Sequence, residues 1–252
     1  MSLHSILARF VCLAALFAAL SFVPDSESNA SRTSVTLLFQ NYVGNDLLKL
    51  DSVNYKNELG QTFNVTKFKY YIGNIRLKRT DGKEFVLDEY FLINQENENS
   101  GELLLNGVEP GVYSSVSFII GVDSTRNCSG IQDGALDPLL GMFWAWNTGY
   151  VFLKIEGRSP QSKSTGNIIE YHVGGFKDPV NSIRNIDLKC KEYKLTVTEG
   201  KNSVVKIKTD ISEIFKLPVS IDFSVLSSVT DLNNATLMAE NYSDMFSITG
   251  IE

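Results

Sequence analysis

From residue 34 onward the sequence is cut into short apolar or alternating runs, each closed by turn residues. It contains no long segment of 3.6-residue periodicity. That pattern restricts the chain to strands. Runs at 34–39, 63–78, 84–87, 90–93, 102–105 and 112–122 are followed by others at 150–156, 168–173, 183–188, 193–198 and 204–209. The stretch Phe68-Lys69-Tyr70-Tyr71-Ile72-Gly73-Asn74-Ile75 is rich in the aromatic and β-branched residues that favour strands. Asp81-Gly82 marks a hairpin, and Glu109-Pro110-Gly111 marks another turn. Two short helices are expected late in the chain, one over Ile211–Phe215 after the N-cap candidate Asp210, the other over 237–246. The expected fold is all-β, an antiparallel β-sandwich with one or two short helices near the C-terminus.

Residues 1–30 stand apart. Arg9 precedes an apolar run from Phe10 to Val23, and the polar stretch after it ends in Ser28-Asn29-Ala30. This reads as a secretory signal peptide cleaved near Ala30, too short and wrongly flanked for a membrane anchor. Cys12 lies inside the apolar run and does not read as a lipoprotein cysteine. Residues 31–252 then form a single expected domain, long enough to bury a full core. The chain is expected to be periplasmic or secreted.

A net charge of −6 offers no basic patch to meet phosphates and argues against nucleic acid. Export would leave Cys128 and Cys190, an even pair that in an oxidising compartment suggests one disulfide. It would leave one histidine, His172, which excludes a cage of several imidazoles. Asn-x-Ser/Thr triplets at Asn64, Asn127, Asn234 and Asn241 are possible glycan acceptors in a eukaryote and carry no meaning in a bacterium.

Both tryptophans fall two residues apart in Gly141-Met142-Phe143-Trp144-Ala145-Trp146-Asn147-Thr148-Gly149-Tyr150. In an extended segment their indoles share a face. Three readings stay open: core or rim aromatics, a platform on which sugars stack, or redox chemistry at an indole near a metal. His172 ends a strand at Gly174-Gly175, glycines that allow close approach, and is either a hydrogen-bonded structural residue or a ligand for copper, zinc or iron. Met142 offers a soft thioether, or simply packs. Asp123, Asp133 and Asp137 lie in a Gly-rich loop without EF-hand spacing, so Asx-turns are expected there ahead of calcium. No phosphate loop, nucleophile elbow or catalytic carboxylate pair is present, and with one imidazole an enzyme is not expected.

Several of these segments together resemble one family. They are Phe118-Ile119-Ile120-Gly121-Val122-Asp123-Ser124, Gly134-Ala135-Leu136-Asp137-Pro138, the Gly-Met-x-Trp-x-Trp-x-x-Gly-Tyr element from Gly141, and Tyr171-His172-Val173-Gly174-Gly175. Lys69 to Ile75 and Glu240 to Phe246 also fit. In order and over most of residues 31–252 they are similar to the MbnP-like proteins, copper-binding periplasmic proteins associated with methanobactin operons. The resemblance implies a β-rich exported protein that handles copper. It also implies a di-haem cytochrome c peroxidase-like partner that oxidises a tryptophan to kynurenine. Carried onto this sequence, the oxidised residue maps to Trp144 or Trp146 and a histidine ligand to His172. Members with a Trp-x-His element have a second histidine near the tryptophan, whereas Ala145 and Trp146 stand at that place here. With one imidazole, copper would be two- or three-coordinate, which favours Cu(I). A rival from another class is a secreted β-sandwich that binds a glycan or protein through Trp144 and Trp146 without metal.

Overall fold

The alternation read from the sequence becomes two packed sheets. In the computed structural model, residues 33–144, 149–232 and 234–252 are described. The principal strands are β1 (Ser34–Val43), β2 (Thr62–Arg79), β3 (Glu84–Asn94), β4 (Glu102–Asn106) and β5 (Gly111–Ile120). Beyond the loop come β6 (Phe143–Trp144), β7 (Gly149–Arg158), β8 (Ile168–Gly174), β9 (Arg184–Lys189), β10 (Asn202–Asp210) and β11 (Phe246–Ile251). The helices are α1 (Ser124–Cys128) and α2 (Ala235–Tyr242), with a 3-10 turn over Ile211–Phe215 capped by Asp210.

The first sheet runs β11–β10–β1, with β4 on the far edge of β1. The second runs β9–β5–β2–β7–β8, with β3 paired to β2 and β6 to β7. Apolar positions alternate inward along each strand, as a half-buried strand requires. Val35, Leu37, Phe63, Phe68, Tyr70, Leu153, Ile155, Ile169 and Tyr171 are wholly buried in the main core.

Among the described residues most pairings are antiparallel, but two are not. β1 lies parallel to β10 from Ser34 opposite Asn202 to Tyr42 opposite Asp210. β8 is parallel to the short strand Ser228–Val229. The sandwich is therefore mixed. Parallel neighbours need a long crossover, and here most of the second sheet separates β1 from β10. Local turn signals say nothing about the direction of such distant pairs.

The ends of elements also shift. The helix expected over 237–246 stops at Tyr242, and Phe246 opens β11 opposite Thr209. The Phe246 ring packs edge-on against Phe39 and Phe118 in the core, contacts that helical periodicity could not reveal. The runs at 84–87 and 90–93 fuse into one strand, β3.

The disulfide suggested by Cys128 and Cys190 is not formed, and both are free thiols. Cys190 follows the end of β9, its N–H donating to Ser114 O near the start of β5. Cys128 ends α1, just past the other end of β5. At about 3.3 Å per strand residue the length of β5 keeps them far beyond the roughly 4–7 Å between Cα atoms that a disulfide needs. No helix among the described residues is long and apolar enough to cross a membrane.

Candidate functional site

Strands β2, β7 and β8 lie side by side, so their register decides which outward side chains meet. Lys69 stands opposite Lys154, and Lys154 opposite His172. Lys67 stands opposite Glu156, and Glu156 opposite Glu170. The inward residues between them belong to the core, so these six polar side chains share the outer face.

His172 Nε2 lies 2.9 Å from Glu156 Oε1 and 3.5 Å from Glu170 Oε1. Lys67 Nζ pairs with Glu156 Oε2 at 3.1 Å. The His172 side chain is 13% exposed, so the cluster sits in a half-dry setting where charge interactions count for more than at an open surface. The contact with His172 and the pairing with Lys67 outweigh burial and hold the Glu156 carboxyl at about 2, against an ordinary 4.5. Burial pushes the Lys154 ammonium down, helped by Lys67 and Lys69. Lys154 Nζ donates to Gly141 O at 2.5 Å.

That bond ties the face to the loop that covers its other end. Residues 123–144 fold back over the outward Tyr71 and Phe152 and form a second, smaller apolar cluster with Val122, Leu136, Met142 and Tyr150. Asn127 holds the loop down. Its amide donates to Val122 O and Asp123 O, and its Oδ1 accepts from Tyr150 N–H. Asp123 caps α1 through Arg126 N–H and accepts from Tyr90 OH. Asp137 accepts from Leu139 N–H. These are the turn-forming roles expected of loop aspartates, and the calcium alternative gains nothing from them.

Trp144 is the residue that joins loop to face. It is 6% exposed and belongs to the smaller cluster. A Cβ on Gly174 would stand 2.7 Å from Trp144 Cζ3 and 2.6 Å from Tyr150 O. The indole therefore rests directly on the Gly174 backbone, two positions along β8 from His172 and on the same face. A cavity of about 270 Å³ opens beside it, lined by Trp144, Tyr150, Gly175, Phe176 and Lys177 among others. The Tyr71 hydroxyl in the same cluster is buried with no hydrogen-bond partner among the described residues, and burial raises its pKa.

The MbnP family model matches residues 32–238. The chain belongs to the MbnP family. Among solved structures it is similar to MbnP from Methylosinus trichosporium, at 14% identity and a TM-score of 0.53. The match covers 76% of this chain and 79% of that one. At this identity the likeness is one of fold. A comparison with curated proteins finds no match.

Within this MbnP-family chain the sequence-predicted site residues separate. Trp144 and His172 are brought onto neighbouring positions of one face. Met142 is wholly buried in the smaller cluster, with its carbonyl accepting from Val151 N–H. Trp146 lies outside the described residues. Glu156 and Glu170 were not singled out from sequence. Glu170 carried a weak signal, since it stands two residues before His172 and any strand would place both on one face. Glu156 carried none, because only the β7–β8 register brings it there. By donor type His172 fits a copper ion, for which imidazole nitrogen is a good ligand.

Proposed function

We propose that this chain is an exported copper-handling protein of the periplasm and not an enzyme. A tryptophan, Trp144 or Trp146, is the substrate of a di-haem cytochrome c peroxidase-like partner. Membership of the MbnP family supports this, as does the leader-like segment 1–30. The observation that carries it is the seat of Trp144 on Gly174, two positions from His172. A kynurenine formed there would present an amine and a carbonyl beside the imidazole.

The conversion adds two oxygen atoms across the indole C2–C3 bond, which breaks, and water then releases C2 as formate. The haem partner supplies the oxidising equivalents from peroxide. The residue thus gains one oxygen and loses one carbon. When bound, copper would supply a redox-active centre held by His172.

The rival reading, a flat aromatic platform for sugars, finds little in Trp144, whose indole is buried. The test is intact mass and peptide mapping, with metal analysis, of protein isolated from its own host while the haem partner is expressed. The expected result is copper together with the oxygen-for-carbon exchange at Trp144 or Trp146. Unaltered tryptophans and no copper would overturn the proposal.

A further inference from the structure

The copper reading leaves the two glutamates beside His172 without a role. We propose that Glu156, Glu170 and His172 form a site for a divalent first-row cation, available to the chain while its tryptophans are unmodified. This takes His172 from the copper reading and nothing else.

One imidazole nitrogen and two carboxylate oxygens, one atom from each residue, lie within 4.8 Å of one another. Ligand atoms about 2.0–2.2 Å from a common ion, at tetrahedral or right angles, are themselves roughly 2.8–3.6 Å apart. The 2.9 Å and 3.5 Å separations from His172 Nε2 already match. Closing the Glu156–Glu170 pair needs a small side-chain movement, and two adjacent carboxylates have reason to move towards a shared cation.

The surrounding lysines do not block the site. Lys67 holds Glu156 Oε2, which leaves Oε1 facing His172. Lys69 is turned to Glu96 at 3.1 Å and Lys154 to the Gly141 carbonyl. A donor set of one nitrogen and two anionic oxygens favours a divalent ion, with Cu²⁺ above Zn²⁺ in affinity, over the soft monovalent Cu⁺. With three protein ligands, positions remain for water or for a later ligand from the Trp144 side.

The experiment uses the chain produced in a host without a haem partner, its tryptophans shown intact by mass. Zn²⁺ is titrated calorimetrically, and Cu²⁺ is followed by electron paramagnetic resonance. We expect one bound equivalent of each and a Cu²⁺ spectrum of mixed nitrogen and oxygen ligation. In Glu170→Gln the affinity should fall by more than the roughly 10–100-fold that even outer-shell changes cost. Glu156→Gln should do the same; if losing its contacts to Lys67 and His172 unfolds it, Glu170→Gln alone decides. Absence of binding, binding of Cu⁺ alone, or unchanged affinity in Glu170→Gln would overturn the proposal. Failure to find kynurenine in the native protein would leave it untouched, and its own failure would not bear on tryptophan oxidation.

Discussion

Strands β2, β7 and β8 have two faces with opposite characters. Inward, Phe68, Tyr70, Leu153, Ile155, Ile169 and Tyr171 are all fully buried. Outward, the same strands carry Lys67, Lys69, Lys154, Glu156, Glu170 and His172, none of them fully buried. Farther along, the outward face is dry again, where the 123–144 loop covers Tyr71 and Phe152. The inner face fixes pitch and register by packing, since a slip of one residue would exchange core for solvent. The outer face inherits that register and uses it to set three ligand-type side chains together. Stability lies on one side of the sheet and the proposed chemistry on the other.

If this division holds, damage to the two faces should have separable effects. The largest is expected in the core. Phe63 lies against Phe215 and Phe223, at ring-centroid distances of 5.2 and 5.5 Å. Phe63→Ala should lower the unfolding free energy by about 3–5 kcal/mol in urea denaturation. Metal affinity of the fraction still folded should stay near that of the parent, and a matching loss there would break the comparison.

Gly174→Ala should come next. The new methyl meets the Trp144 ring and the Tyr150 carbonyl, so overpacking should cost about 1–3 kcal/mol. Trp144 should be displaced from β8, seen as a red shift in its fluorescence, while the inner face keeps its far-ultraviolet dichroism. An unshifted spectrum would mean that the glycine is not the seat of the indole.

The smallest effect falls on a polar tie at the rim of the first sheet, and it depends on pH. Asp210 is mostly buried, which raises its pKa. Bonds from Ser212, Lys208 and the Gly44 N–H outweigh that and hold it below its ordinary 3.8. A carboxyl depressed on folding stabilises the protein above its unfolded value. That contribution fades as the pH drops from about 3.8 through the lower folded value. Asp210→Asn should therefore be less stable than the parent at neutral pH, and the gap should narrow in acid. Thermal melts at neutral and acid pH would check this, and a constant gap would show that the charge is not involved.

Part of the local geometry is legible in the sequence. The Gly-Gly after His172 allows close approach, and Gly174 receives an indole. Asp210 was read as an N-cap, and its carboxylate accepts from Ser212 N–H. Asx-turns were expected of the loop aspartates and are found at Asp123 and Asp137. Asn127 and Asn241 read as possible glycan acceptors, yet both are buried and bonded. Asn241 Nδ2 donates to Ile214 O and Val219 O, so it clamps the segment after β10. A triplet motif says nothing about burial, and that is why the sequence could not tell a surface acceptor from an internal clamp.

By itself the sequence determined the class of fold and most strand positions, and it offered His172, Trp144 and Trp146 as the side chains around which the proposed chemistry turns. Those follow from period-two alternation, turn residues and the scarcity of histidine and tryptophan, all local or countable. Tertiary structure alone decided that β1 runs parallel to β10, that Cys128 and Cys190 stand apart, and that Glu156 faces His172. Each depends on the pairing or register of separate strands, consecutive ones for Glu156 and His172 and ones far apart in sequence for the others. Many registers satisfy local patterning equally well, and packing of the whole core selects one.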